Sequence, residues 1–179
     1  MKIQQYLLVL LEVLFPYMLN ADVTEDIHFS HIGLEEGLSH STIFAINQDK
    51  GGNLWFATYD GVNKYDGYNF IVYRHQYTNP KSIASDISRC ITMDDSDRIW
   101  IGTREGLSLY NHYKDEFSNY YYKRNGLNVA VTSIIPIKKD WLMLGTAEGI
   151  LLFEERVFPF GYIIFFFAWI AAGSFGTPG

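Results

Sequence analysis

An all-β fold is predicted for this 179-residue chain by short apolar runs separated by turn residues, and by a segment that recurs at a fixed interval. Residues 46–49 and 54–65 align with 91–94 and 99–110, so that Ile, Asp, Trp, Thr, Gly and Tyr recur at a constant offset of 45. A third copy, 142–153, follows at an offset of 43 from the second, with Met143 where the tryptophan stood and Ile137 where the aspartate stood. Units of about 40–50 residues holding four antiparallel strands are the blades of a β-propeller, which stack face to face around a central channel. The predicted architecture is therefore a partial β-propeller of about three four-stranded blades, with an N-terminal signal segment and an apolar C-terminal tail.

Each strand of the first blade has its own signal. Ile43–Gln48 alternates apolar and polar residues, 49–53 is turn chemistry, and Leu54–Thr58 is a second apolar run. Asp60-Gly61 marks a hairpin, because glycine takes a positive φ without steric cost. Val62–Tyr65 is the third strand, Asp66-Gly67 the next turn, and 69–73 the fourth strand. The recurring residues place blade 1 at 43–86, blade 2 at 87–130 and a partial blade 3 at 131–156, preceded by an N-terminal strand and lead-in at 22–42. Trp55, Trp100, Tyr65 and Tyr110 are expected to fill the contacts between adjacent blades.

The two ends follow other rules. Residues 1–21 read as a secretory signal: Lys2 gives a positive start, 6–19 is mostly Leu, Val and Phe, and Ala21 is a small residue suited to cleavage. The exported protein is thus expected to begin near Asp22, and intact-mass measurement checks it: a mass that retains 1–21 would mean an uncleaved anchor. Residues 157–179 hold six of the thirteen phenylalanines and no charged residue. That tail reads as a membrane-spanning segment, weakened by Pro159 and Gly161, as a non-native end of a truncated or rearranged copy of a longer protein, or as a buried strand pair. Export across a membrane is expected from the signal segment, with membrane contact left open through either end.

Composition excludes several functions. Fourteen Lys and Arg against twenty Asp and Glu give a net charge of −6, which opposes a nucleic-acid partner. Cys90 is the only cysteine, so no internal disulfide forms, and neither it nor the five scattered histidines make a compact metal-ligand motif. Asp94, Ser96 and Glu105 fit positions 1, 3 and 12 of a calcium loop, but Arg98 stands at position 5 and Ile99 replaces the required glycine, so the segment reads as a solvated turn. Ser39, Ser41 and Ser133 sit in no nucleophile elbow. No catalytic residue, metal or cofactor is expected.

The strand, Asp, Gly-rich turn, then Leu/Ile-Trp-Phe/Ile-Ala/Gly-Thr-x-x-Gly-Val/Leu and Tyr resembles the two-component regulator propeller repeat of the exported sensor region of hybrid two-component regulators in gut Bacteroidetes. Residues 29–32 and 37–39 resemble the start of such sensors, where the N-terminal strand completes the last blade. The resemblance covers about 27–153 and includes no histidine kinase, receiver or DNA-binding part. It implies a periplasmic ligand-sensing propeller that responds to carbohydrate, with an oligosaccharide ligand, and with missing blades of a longer chain or self-association as partners. Alternatives are a lyase-like propeller enzyme, which would need a catalytic pair facing the channel, and a nonfunctional truncated fragment. The turns joining second and third strands open on the rim where the chain passes to the next blade. That rim holds the candidate ligand contacts Tyr59, Asp60, Arg104, Glu105 and Glu148, with 74–86 beside them.

Overall fold

The computed structural model describes residues 28–138 and 140–155; the signal segment and the apolar tail lie outside the described residues. The chain divides into two units, 1–31 and 32–179. The described part of the first, 28–31, forms no secondary structure. No strand forms at 29–32, since strand formation needs a hydrogen-bonding partner and none of the described strands pairs there.

The second unit is an arc of three antiparallel meanders. Blade 1 is β1 (Ile43–Gln48), β2 (Leu54–Thr58), β3 (Val62–Tyr65) and β4 (Phe70–Tyr73), paired in that order. Blade 2 repeats it with β5 (Ser88–Met93), β6 (Ile99–Thr103), β7 (Gly106–Asn111) and β8 (Glu116–Tyr120). A two-stranded hairpin, β9 (Lys123–Arg124) and β10 (Leu127–Asn128), then leads into β11 (Val131–Lys138), β12 (Trp141–Thr146) and β13 (Gly149–Glu154). Blade 3 thus has three described strands, and β13 is its edge.

The repeated sequence positions each have a mechanical reason. At the turn after the first strand, Asp49 Oδ2 accepts the indole N–H of Trp55 at 2.9 Å, and Asp94 Oδ2 accepts that of Trp100 at 2.8 Å. The same carboxylates close their turns by accepting backbone N–H groups of Asn53 and of Ser96 and Arg98. Burial works against the charge of both aspartates, yet these hydrogen bonds outweigh it and hold each carboxyl below the ordinary range. Asp94 is therefore a clamp on the blade, with only 8% of its side chain exposed, while Asp95, Ser96 and Asp97 form the solvated turn expected at this calcium-like sequence. At the next turn, Gly61 has φ 91° and Gly106 φ 146°, and a Cβ on either would strike the last carbonyl of the fourth strand, Tyr73 O or Tyr120 O. Gly149, the third copy, meets nothing, because no fourth strand pairs with β13 among the described residues.

Each joint between blades is an aromatic trio with an acidic partner. Trp55 of blade 1 stacks on Tyr73 at 5.9 Å and tilts onto Tyr110 of blade 2 at 4.8 Å. Trp100 of blade 2 repeats this with Tyr120 at 6.0 Å and Phe153 of blade 3 at 5.6 Å. Tyr73 and Tyr110 both donate to Asp115 at 2.7 Å, and Tyr120 donates to Glu155 at 3.2 Å. Burial and the nearby carboxylate raise the pKa of Tyr73 and Tyr120, so both phenols stay protonated donors. Around the trios lie two apolar clusters, one with Ala57, Val62, Ile83, Ile91 and Ile101, the other with Leu107, Val131, Leu142 and Leu144.

Tyr65, which corresponds to Tyr110, lies on the face of blade 1 turned away from blade 2. It is half-buried, stacks on Phe70 at 4.6 Å, and donates its hydroxyl to Gly67 O at 2.7 Å. In blade 2 the equivalent face, with Ile91, Ile99, Ile101, Tyr110 and Phe117, is buried against blade 1. In blade 1 its counterparts Ile46, Leu54, Phe56, Tyr65 and Phe70 cover no described blade, and Ile46 is 60% exposed where Ile91 is 8%.

Gly102 packs its Cα against Cys90 Sγ and Val131, whose carbonyl would lie 2.8 Å from any Cβ placed there. Burial pushes the Cys90 thiol up to about 11. Native protein at pH 8 is therefore expected to resist iodoacetamide for hours and to react fully at Cys90 in denaturant, as read by mass; prompt native alkylation would mean that the blade 2–blade 3 joint opens readily.

Candidate functional site

The turns β2–β3, β6–β7 and β12–β13 lie at the end of the blades where the chain crosses to its neighbour. Arg74, just after β4, donates two bonds to Asp60 at 2.8 and 3.0 Å, and Gly61 N–H donates to Asp86 O at 2.6 Å. The Arg74 hydrogen bonds hold the Asp60 carboxyl below its ordinary range. Glu105 accepts from Asn128 Nδ2 at 3.0 Å, and Glu148 pairs with Arg124 Nη1 at 2.6 Å. The three rim acids thus each fasten a crossing segment. The crossing from blade 1 to blade 2 is also anchored from below: Ile83 is fully buried, His75 N–H donates to Asp86 at 2.6 Å, and Asn119 Nδ2 donates to Ser82 O at 2.7 Å.

Tyr59 and Arg104 are left with exposed side chains and no ion pair among the described residues. Tyr59 does not stand alone, for His40 lies 5.6 Å from its ring and Phe44 6.3 Å. His40 Nδ1 accepts the Thr42 N–H at 2.9 Å, which leaves its ring proton on Nε2. The lead-in that carries His40 is fixed by Ser39, whose N–H donates to Asn63 Oδ1 at 2.9 Å and whose hydroxyl meets Thr58 Oγ1 at 3.0 Å. Sequence reasoning missed His40 and Phe44, because neither belongs to the recurring pattern.

It also missed a shared irregularity in the first strand of every blade. The pairing register shifts between Ile43 and Ala45, between Ser88 and Cys90, and between Val131 and Ser133. Each bulge turns one residue out of the ladder: Phe44, Arg89 and Thr132. The Arg89 guanidinium carbon sits 5.6 Å from the Phe44 ring centre. Among the described residues, no group of His, Cys, Asp and Glu could hold a metal ion.

Four-stranded meanders stacked face to face, with a Trp–Asp clamp in the first two and an aromatic trio at each joint, define a stretch of β-propeller. Residues 37–60 and 82–105 match the two-component regulator propeller family. Those spans contain the clamps Asp49–Trp55 and Asp94–Trp100.

Among curated proteins the chain is similar to Histidine kinase P4 of Formosa agariphila, 47% identical over 49 residues, which are 27% of this chain and 4% of that protein. Among solved structures it matches the extracellular domain of BT3049 from B. thetaiotaomicron, a protein assigned as a hybrid two-component system. That match has 34% identity and a TM-score of 0.62, over 70% of this chain and 18% of that one. The extracellular domain of BT4673 from the same organism, assigned as a one-component system, matches at 17% identity and a TM-score of 0.58, over 72% of this chain and 17% of that one. At that identity the likeness is one of fold. The chain thus spans a small part of each relative's length, and its blades correspond to part of a larger propeller.

Proposed function

We propose that this chain is part of an exported sensor propeller of a hybrid two-component regulator and that it contributes rim residues to the binding of an oligosaccharide. The likeness to the extracellular domain of BT3049, at 34% identity over 70% of the chain, carries the reading. The signal-like 1–21 supports export to the periplasm, with membrane anchoring through the ends or through the rest of a longer protein. No kinase chemistry is assigned to this chain; its part is to recognise a ligand and pass strain through stacked blades.

The rim acids are engaged in holding the crossings, so ligand contact falls to the exposed aromatic Tyr59 and to Arg104, with Asp60, Glu105 and Glu148 setting the frame. A half-exposed ring of this kind stacks on the C–H face of a sugar. Titration calorimetry of the full chain against a panel of neutral and acidic trisaccharides tests the reading. Binding that Tyr59→Ala weakens at least about fivefold supports it, and a panel without any binder overturns it.

A further inference from the structure

The three bulges put Phe44, Arg89 and Thr132 at matching places on the first strands β1, β5 and β11, and these residues differ in how they are satisfied. Phe44 has no polar side-chain atom. Thr132 donates its hydroxyl to Gly145 O at 3.0 Å. Arg89 rests on the Phe44 ring, but its enclosed Nε has no hydrogen-bond partner and no carboxylate among the described residues pairs with it. Arg74, Arg98 and Arg124 are ion-paired, whereas Arg89, like Arg104, has no carboxylate partner among the described residues. The enclosed Nε leaves the terminal nitrogens as the part of this unpaired guanidinium that meets solvent, and a planar carboxylate presented to them supplies two acceptors at once.

The surroundings say what else the occupant carries. Arg89 lies over Phe44, Phe44 tilts toward Tyr59, and Tyr59 toward His40, so the four side chains form one strip across the blade 1–blade 2 rim. Phe44 and Tyr59 are exposed aromatic surface at its middle, and the guanidinium lies at one end. We infer that this strip is a subsite for a sugar ring bearing a carboxylate, with Phe44 and Tyr59 under the ring and Arg89 holding the carboxylate as a fork. The inference rests on the oligosaccharide reading above and adds the charge of the ligand to it.

The test is calorimetric titration of the full chain with trigalacturonate and trimannuronate, with their fully methyl-esterified forms, and with a sulfated neutral trisaccharide. At least one uronate is expected to bind about tenfold or more tightly than its ester, and Arg89→Gln is expected to erase that difference while the ester binds as before. Arg89→Lys keeps the charge without the fork and is expected to recover part of the preference, which also decides the matter if the glutamine variant does not fold. Equal binding of acid and ester overturns the carboxylate assignment and leaves the oligosaccharide reading standing. Tighter binding of the sulfated sugar than of either uronate overturns it as well. Absence of binding by every probe overturns both.

Discussion

Trp100→Ala is expected to lower the unfolding free energy by about 3–5 kcal/mol, the usual cost of deleting a buried large aromatic. The indole is fully buried between Tyr120 and Phe153, with the Arg98 guanidinium 5.4 Å from its ring centre. Removing it empties the joint between blades 2 and 3 and takes the indole donor from the Asp94 carboxylate. Trp55→Ala is expected to act in the same range through Tyr73 and Tyr110. Denaturant melts decide the matter, and changes below about 1 kcal/mol at both sites would show indoles that do not hold the joints.

Trp100→Phe separates the clamp from the packing, since it keeps a ring and loses the donor, at an expected cost of about 1–2 kcal/mol. The folded state holds the Asp94 carboxyl below its ordinary value of 3.8. Its contribution is therefore complete above that value and disappears as pH falls through the folded one. The gap between native protein and Trp100→Phe should accordingly be full at pH 6 and narrow below about pH 4.

The second large effect is in assembly. Residues 22–156 produced alone are expected to sediment as a dimer or larger at micromolar concentration. The outer face of blade 1 repeats, residue for residue, the face that blade 2 buries: Ile46 for Ile91, Leu54 for Ile99, Phe56 for Ile101, Tyr65 for Tyr110 and Phe70 for Phe117. At the other end of the arc Ile135 and Ile150 are exposed, and β13 leaves a strand edge open among the described residues. Joining one copy's first blade to another's third would resemble the two blade contacts within the chain, with Met143 in the place of the indole. Such a head-to-tail union closes into a ring or grows into a filament. Ile46→Glu is expected to shift the distribution toward monomer. A clean monomer of the unaltered 22–156 would mean that its apolar faces are covered within one chain.

How much of this could be read from residues alone differs from element to element. The strands of blade 1 were legible almost to the residue, because Asp60-Gly61 and Asp66-Gly67 punctuate apolar runs whose partners recur 45 positions later. The hairpin of β9 and β10 went unread although Asn125-Gly126 announces it, both residues having positive φ of 52° and 80°. It lies between repeats, where no periodicity draws attention. The rim was legible as a place and less so as chemistry: the acids Asp60, Glu105 and Glu148 stand out in the sequence but serve the crossings. Phe44 and Arg89 depend on bulges, and a one-residue slip in pairing leaves no trace in composition or spacing.

The third repeat departs from the first two at one spot: Ile137 and Met143 occupy the places of clamp aspartate and tryptophan, and only Lys139 and Asp140 separate β11 from β12. No indole is offered outward from that position, and no carboxylate there locks the preceding turn. Each of the two seams among the described residues therefore has an indole and its clamp, and the face that blade 3 turns outward has neither. Where a further blade packs on that face, thermal opening would start at this seam before either of the other two.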